Sequence, residues 1–124
     1  EQAQVAMESY LKNHPQGHYI SNAHYWLGEL YLLKNQTQKA LTQFQVVANR
    51  YPQSPKIPDA LLKIGFVYYD IGQFVKAKQQ LLQVTQKYPN TTVAQLANNR
   101  LRMIAQLNQN DVQKQNPNAN TQNH

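Results

Sequence analysis

Three of the four histidines, His14, His18 and His24, fall within one short stretch, and imidazoles gathered in this way are what a metal site is built from. A site also needs its ligands to converge. His14 and His18 straddle the turn Pro15-Gln16-Gly17, so helical spacing does not bring them together, and no nearby carboxylate completes a set. They are read as exposed or packing residues, and His124 as incidental. General acid–base chemistry asks for paired carboxylates, but the six acids are scattered. The chain has no cysteine, which removes thiolate catalysis, thiolate metal sites and disulfide staples. Ser9, Ser21 and Ser54 sit at expected helix ends or joints, where capping accounts for them. No glycine-rich phosphate loop is present. The triplets "NQT" at Asn35 and "NTT" at Asn90 match a glycosylation acceptor pattern, yet chance suffices in a chain so rich in Asn and Thr. The expectation is a protein that is not an enzyme and needs no cofactor or metal.

Composition points the same way. At 124 residues the chain is one domain or part of one, with 41% apolar and only 15% charged residues. Gln and Asn supply the polar surface. The net charge of +6 rests on 12 basic residues of which only three are arginines, and the lysines are dispersed. A nucleic-acid binder gathers such charge into a patch, so nucleic acid is not an expected partner. No apolar run is long enough to span a bilayer, which excludes direct membrane insertion by a helix. The first residues already read as helix, so a piece of a longer protein is expected and missing targeting signals carry no information.

The organising feature is an internal repeat. At an offset of 37 residues Ala23 falls on Ala60, Leu27 on Ile64, Gly28 on Gly65 and Tyr31 on Tyr68. Ala40 then falls on Ala77, Phe44 on Leu81, Val47 on Val84, Tyr51 on Tyr88 and Pro52 on Pro89. Carried backward the register reaches Ala3, Met7, Tyr10 and Pro15; carried forward, Ala97, Leu101 and Ala105. A period of this length signals a solenoid whose units bury their apolar faces against one another.

Apolar residues at 3–4 spacing place two helices in each unit, the first over about 22–33 and the second over about 38–49, then about 60–69 and 74–87. Gly28 costs its helix roughly 1 kcal/mol relative to alanine. The expected compensation is close approach of the paired helix at Ala40, repeated by Gly65 and Ala77. Tyr51-Pro52 and Tyr88-Pro89 end the second helices because proline lacks a backbone donor and disfavours a helical residue before it. In "SPKIPDA", Pro58 suits a first helical turn and Asp59 its positive end. Trp26, Tyr31, Phe44 and Tyr68 are expected in the core. A last first-type helix, about 92–107, carries Arg102 where the glycine should be and is expected to cap the stack. The residues 108–124, rich in Asn and Gln without apolar anchors, are expected to be disordered.

The pattern Leu27-Gly28-Tyr31-Ala40-Phe44-Pro52, repeated as Ile64-Gly65-Tyr68-Ala77-Leu81-Pro89, resembles the tetratricopeptide repeat. That resemblance implies an all-α right-handed superhelix of antiparallel helix pairs with a capping helix, covering 1–107 with repeats at about 21–52 and 58–89. The usual period is about 34 residues, and the extra length here lies at the joint. The joints "YPQSPKIPDALLKIG" and "KYPNTTVAQLA", with "AHYWLGELYL", resemble the C-terminal domain of the periplasmic Tol–Pal system cell-division coordinators (the YbgF/CpoB family). Outer-membrane and pilus-assembly lipoproteins share the long joint and are the alternative. The first resemblance implies a periplasmic protein that trimerises through an N-terminal coiled coil absent from this chain, leaving these residues monomeric or weakly associating. It also implies TolA and a bifunctional penicillin-binding protein as partners, linking septal peptidoglycan synthesis to outer-membrane constriction. Thr37 and the polar tail depart from the family pattern.

The inner-face positions that the resemblance implies are Asn22, Tyr25, Glu29, Leu32 and Leu33 in one repeat. Asp59, Leu62, Phe66, Tyr69 and Asp70 follow in the next, and Leu96, Asn99 and Met103 in the cap. This describes an aromatic and aliphatic groove with three acids along it, suited to a lysine-bearing partner segment. Tyr25, Phe66 and Tyr69 are its expected anchors.

Overall fold

The computed structural model describes residues 2–13 and 19–115, with side chains through residue 109. Among the described residues six helices follow one another: α1 (Gln2–Asn13), α2 (Ile20–Leu33), α3 (Thr37–Arg50), α4 (Ile57–Asp70), α5 (Phe74–Lys87) and α6 (Thr92–Gln115). Each packs on the next, and α4 also touches α6. This is the expected all-α stack of helix pairs.

The repeat register governs burial. Ala40, Phe44 and Val47 on α3 and their counterparts Ala77, Leu81 and Val84 on α5 are all fully buried. One apolar cluster joins α2, α3 and α4 through Leu27, Tyr31, Phe44, Ile64 and Val67, and a second joins α4, α5 and α6 through Leu62, Leu81, Ala97 and Ile104. α4 serves both, so each pair is sealed by the first helix of the next. A side chain such as Phe44, wholly withdrawn from water, contributes about 2–3 kcal/mol of transfer free energy.

Each of the two helical glycines leaves a notch that makes room for a side chain of its paired helix. A Cβ added at Gly28 would lie 2.6 Å from Phe44 Cε1, and one added at Gly65 would lie 2.6 Å from Leu81 Cδ2. The atoms nearest the added Cβ thus belong to large side chains one turn beyond Ala40 and Ala77. Arg102 at the third such position is exposed and hydrogen-bonds Asn99 Oδ1.

Turns also repeat. The Gln36 amide donates to the Tyr31 carbonyl and Gln73 to Tyr68, both at 2.9 Å, closing α2 and α4 in the Schellman manner. That closure needs a left-handed residue before the donor, supplied by Asn35 (φ 60°) and Gly72 (φ 81°), which share one register position. The second helices end at Arg50 and Lys87, with Tyr51 and Tyr88 as C-caps before the prolines. Tyr51 lies against His24 with ring centroids 5.8 Å apart. Pro58 does occupy the first turn of α4, followed by Asp59.

Three expectations are corrected. Ser21 and Ser54 do not cap: Ser54 Oγ donates to buried Ser21 Oγ at 2.8 Å and accepts from the Lys56 amide at 3.0 Å, tying one repeat to the next. Trp26 is not in the core but 47% exposed. α6 continues to Gln115, so residues 108–115 are helical backbone rather than irregular chain. His14, Pro15 and His18 and the remainder of the tail lie outside the described residues.

Candidate functional site

First-type helices α2, α4 and α6 present their side chains to one another along one face. Lys63 Nζ on α4 stands 3.4 Å from Glu29 Oε1 on α2, and Arg100 on α6 reaches Asp70 on α4 at 3.8 Å. The Arg100 guanidinium also covers two rings, 4.1 Å from the centroid of Phe66 and 4.7 Å from that of Tyr69. Lys63 Nζ also lies over Phe66, 6.0 Å from its ring centroid. At the joint, the Lys56 ammonium lies 5.1 Å from Tyr25 and 5.2 Å from Trp26.

These contacts redistribute the expected groove residues. Tyr25 and Leu62 share one register position and both turn inward, 6% and 3% exposed, so neither is a surface anchor. Tyr25 packs its ring on Phe44 at 5.6 Å. Its hydroxyl is held well above the ordinary tyrosine range, first by burial and then by the charges of Glu29 and Asp59. Asn99 occupies the same position on α6 but is exposed. Phe66 and Tyr69 stay half-buried on the face, while Leu33, Asp70, Leu96 and Met103 are exposed. Asn22, Glu29, Leu32 and Asp59 are half-buried.

The electrostatics differ from an acidic groove. Glu29 and Asp70 are already matched by cations, which leaves Asp59 as the acid of this face with no ion pair among the described residues. Glu29 Oε1 is buried and accepts no hydrogen bond, so its pair with Lys63 is an attraction of charges without a directed bond. The cations were missed although the register contains them: Trp26, Lys63 and Arg100 are spaced by 37 residues and so share a face. That shared position is the sequence signal for them, and the apolar 3–4 spacing of Trp26 with Ala23 and Leu30 masks it.

Behind the face, each second helix is tied to its partner. Gln43 Oε1 lies 2.6 Å from His24 Nδ1, and Gln80, in the same register, donates to the Leu61 carbonyl at 3.1 Å. Lys39 over Tyr31 and Lys76 over Tyr68, each 5.7 Å from the ring centroid, repeat as well. His24 is thereby engaged in packing, and no group of three potential metal ligands occurs among the described residues.

The face is a row of rings and charges able to hold an extended or helical segment: rings supply buried area and the cations orient an approaching chain. A guanidinium stacked on two rings contributes about 0.5–2 kcal/mol to local order, which fixes Phe66 and Tyr69 before any partner arrives. A search of curated proteins gives no match. A family model for the tetratricopeptide repeat matches residues 22–54 and 59–91, the two helix pairs described above. With more than half of its residues in those matched units, the chain belongs to the tetratricopeptide repeat family, a family of protein-interaction modules.

Proposed function

We propose that this protein is a periplasmic interaction module of the Tol–Pal system, coordinating septal peptidoglycan synthesis with outer-membrane constriction during cell division. It does so by holding partner segments on the inner face of its repeats, with TolA and a bifunctional penicillin-binding protein as the partners. The N-terminal coiled coil of the family would gather three copies. Support for the system comes from the long joint "YPQSPKIPDALLKIG" and the stretch "AHYWLGELYL", which resemble the Tol–Pal division coordinators. The observation that carries the binding mode is the half-buried pair Phe66 and Tyr69, held under Arg100 between neighbouring first-type helices.

Rings of this kind at the centre of an interface each account for about 2 kcal/mol or more on truncation, whereas a rim pair at Asp59 offers less than about 1 kcal/mol. Calorimetric titration of the chain with periplasmic fragments of TolA and of the penicillin-binding protein tests both parts. The Phe66→Ala/Tyr69→Ala variant is expected to lose at least about tenfold in affinity. Unchanged affinity in that variant defeats the binding mode; no binding to either TolA or the penicillin-binding protein defeats the assignment to the system.

A further inference from the structure

The acids of the chain are unevenly placed, and none falls within residues 30–58 or 71–110. The second helices α3 and α5 lie inside those spans and carry Lys39, Arg50, Lys76, Lys78 and Lys87 with no carboxylate among them. None of these cations forms an ion pair with a described residue. Glu29, Asp59 and Asp70 all stand on the first helices α2 and α4. The two repeats thus keep their carboxylates on the first helices and leave the second helices purely basic.

Lysines dispersed along the sequence are collected by the helix period. Lys76, Gln80, Gln83 and Lys87 follow one another at spacings of four, three and four residues and so form one stripe of α5. One repeat earlier Lys39, Gln43, Val46 and Arg50 make the same stripe on α3, again with a cation at each end. The Lys76 ammonium is held 5.7 Å from the Tyr68 ring centroid, as Lys39 is over Tyr31. Along the α5 stripe runs an open cleft of about 440 Å³, lined by Tyr68, Lys76 and the amides of Gln79, Gln80, Gln83 and Gln86. Gln80 donates to the Leu61 carbonyl, while Gln79, Gln83 and Gln86 are exposed to an approaching ligand.

We propose that this cleft and its basic stripe bind an acidic polypeptide segment in extended conformation. Each glutamine amide both donates and accepts, which matches the unpaired backbone groups of an extended chain; a helix keeps most of its own backbone groups paired. Lys76 and Lys87 are 11 residues apart, about 16 Å along the helix axis. An extended segment covers that distance in about five residues. The recognised feature is therefore two carboxylates, or two pairs of them, at that separation. A flat bilayer does not enter the cleft. The inner face, where Asp59 has no ion pair among the described residues, disfavours the same segment, so this partner differs from the one held on the Phe66–Tyr69 row.

Amide-resolved NMR of the isotope-labelled chain reads weak binding residue by residue. The probe is an unstructured peptide of two Glu-Glu pairs separated by three Gly or Ser residues. Saturable shifts are expected along α5 between Lys76 and Lys87, and a peptide with glutamine in place of each glutamate should cause none. The variant Lys76→Gln/Lys87→Gln changes two exposed residues and is expected to weaken binding at least about fivefold. Phe66→Ala/Tyr69→Ala should leave the affinity for this peptide unchanged. Absence of a saturable shift, shifts confined to the inner row, or equal binding by the glutamine peptide or the lysine variant overturns the proposal. Binding of phosphatidylglycerol vesicles or duplex DNA at α5 that the glutamate peptide does not displace gives the stripe to a membrane or a nucleic acid and overturns it too.

Discussion

Gly28→Ala sets helix propensity against packing at one atom. Propensity alone gives a gain of about 1 kcal/mol for alanine in a helix interior. The new Cβ, however, would stand 2.6 Å from Phe44 Cε1, 2.8 Å from Cζ and 3.0 Å from Cδ1. These atoms form one edge of a fully buried ring, so relief requires the whole ring to move within a filled core. Overpacking of this kind costs typically about 1–3 kcal/mol. The balance is a net loss of about 0–2 kcal/mol, opposite in sign to propensity. Urea unfolding followed by far-ultraviolet circular dichroism reads it, with an unchanged m-value showing that the two end states keep their exposed areas. In a Phe44→Val background the methyl group finds room, so the same Gly28→Ala change should become neutral or stabilising. Gly65→Ala should behave alike, because Leu81 Cγ, a branch point rather than a free end, lies 2.8 Å from the added atom. A gain of the full 1 kcal/mol or so in the unmodified background would refute the notch reasoning.

Gly72 (φ 81°) has no atom within 4 Å of an added Cβ, so Gly72→Ala isolates backbone strain and should cost about 1–2 kcal/mol in chemical denaturation. Asn35→Gly, at the same register position, should be neutral or slightly stabilising in that assay. Burial, with Glu29 and Asp59 behind it, raises the Tyr25 hydroxyl above its ordinary value of 10.0. Folding therefore holds that proton more tightly than the unfolded chain does. The associated stability is complete below about pH 10 and falls as the pH climbs toward the raised value. Tyr31 is raised as well, by burial and then by the charge and hydrogen bond of Glu8, so it adds to the same decline. Thermal melts across the alkaline range should show the decline beginning there, and Tyr25→Phe should make it shallower. Lys63→Met leaves the buried Glu29 Oε1 without its cation and should cost about 1 kcal/mol or more in chemical denaturation.

The fold was legible because repetition multiplies weak signals. A single Gly28, Tyr31 or Tyr51 carries little, but its recurrence 37 residues later fixes helices, joints and caps together. The phase of the faces was harder to read. Tyr25 and Trp26 are neighbours of similar size, and which one turns inward depends on Phe44, which receives Tyr25 at 5.6 Å. The structure places the two opposite to the sequence expectation. Leu62, at the register position of Tyr25, is buried as well, in one cluster with Leu81 of α5 and Ala97 and Ile104 of α6. The cations Lys63 and Arg100 were not legible as parts of the face because their partners Glu29 and Asp70 lie on the preceding first-type helix, a contact that sequence spacing within one helix does not show. Extension of α6 to Gln115 could not be read from a polar stretch, whose helicity is inherited from the ordered turns before it.

The claim on which the functional account turns is that the row formed by α2, α4 and α6 is where a partner binds. Hydrogen–deuterium exchange of the chain with and without a bound TolA fragment tests this residue range by residue range. The account predicts slowed exchange in α4 and α6 around Phe66, Tyr69 and Arg100, with α3 and α5 unchanged. Protection confined to α3 and α5 would contradict it.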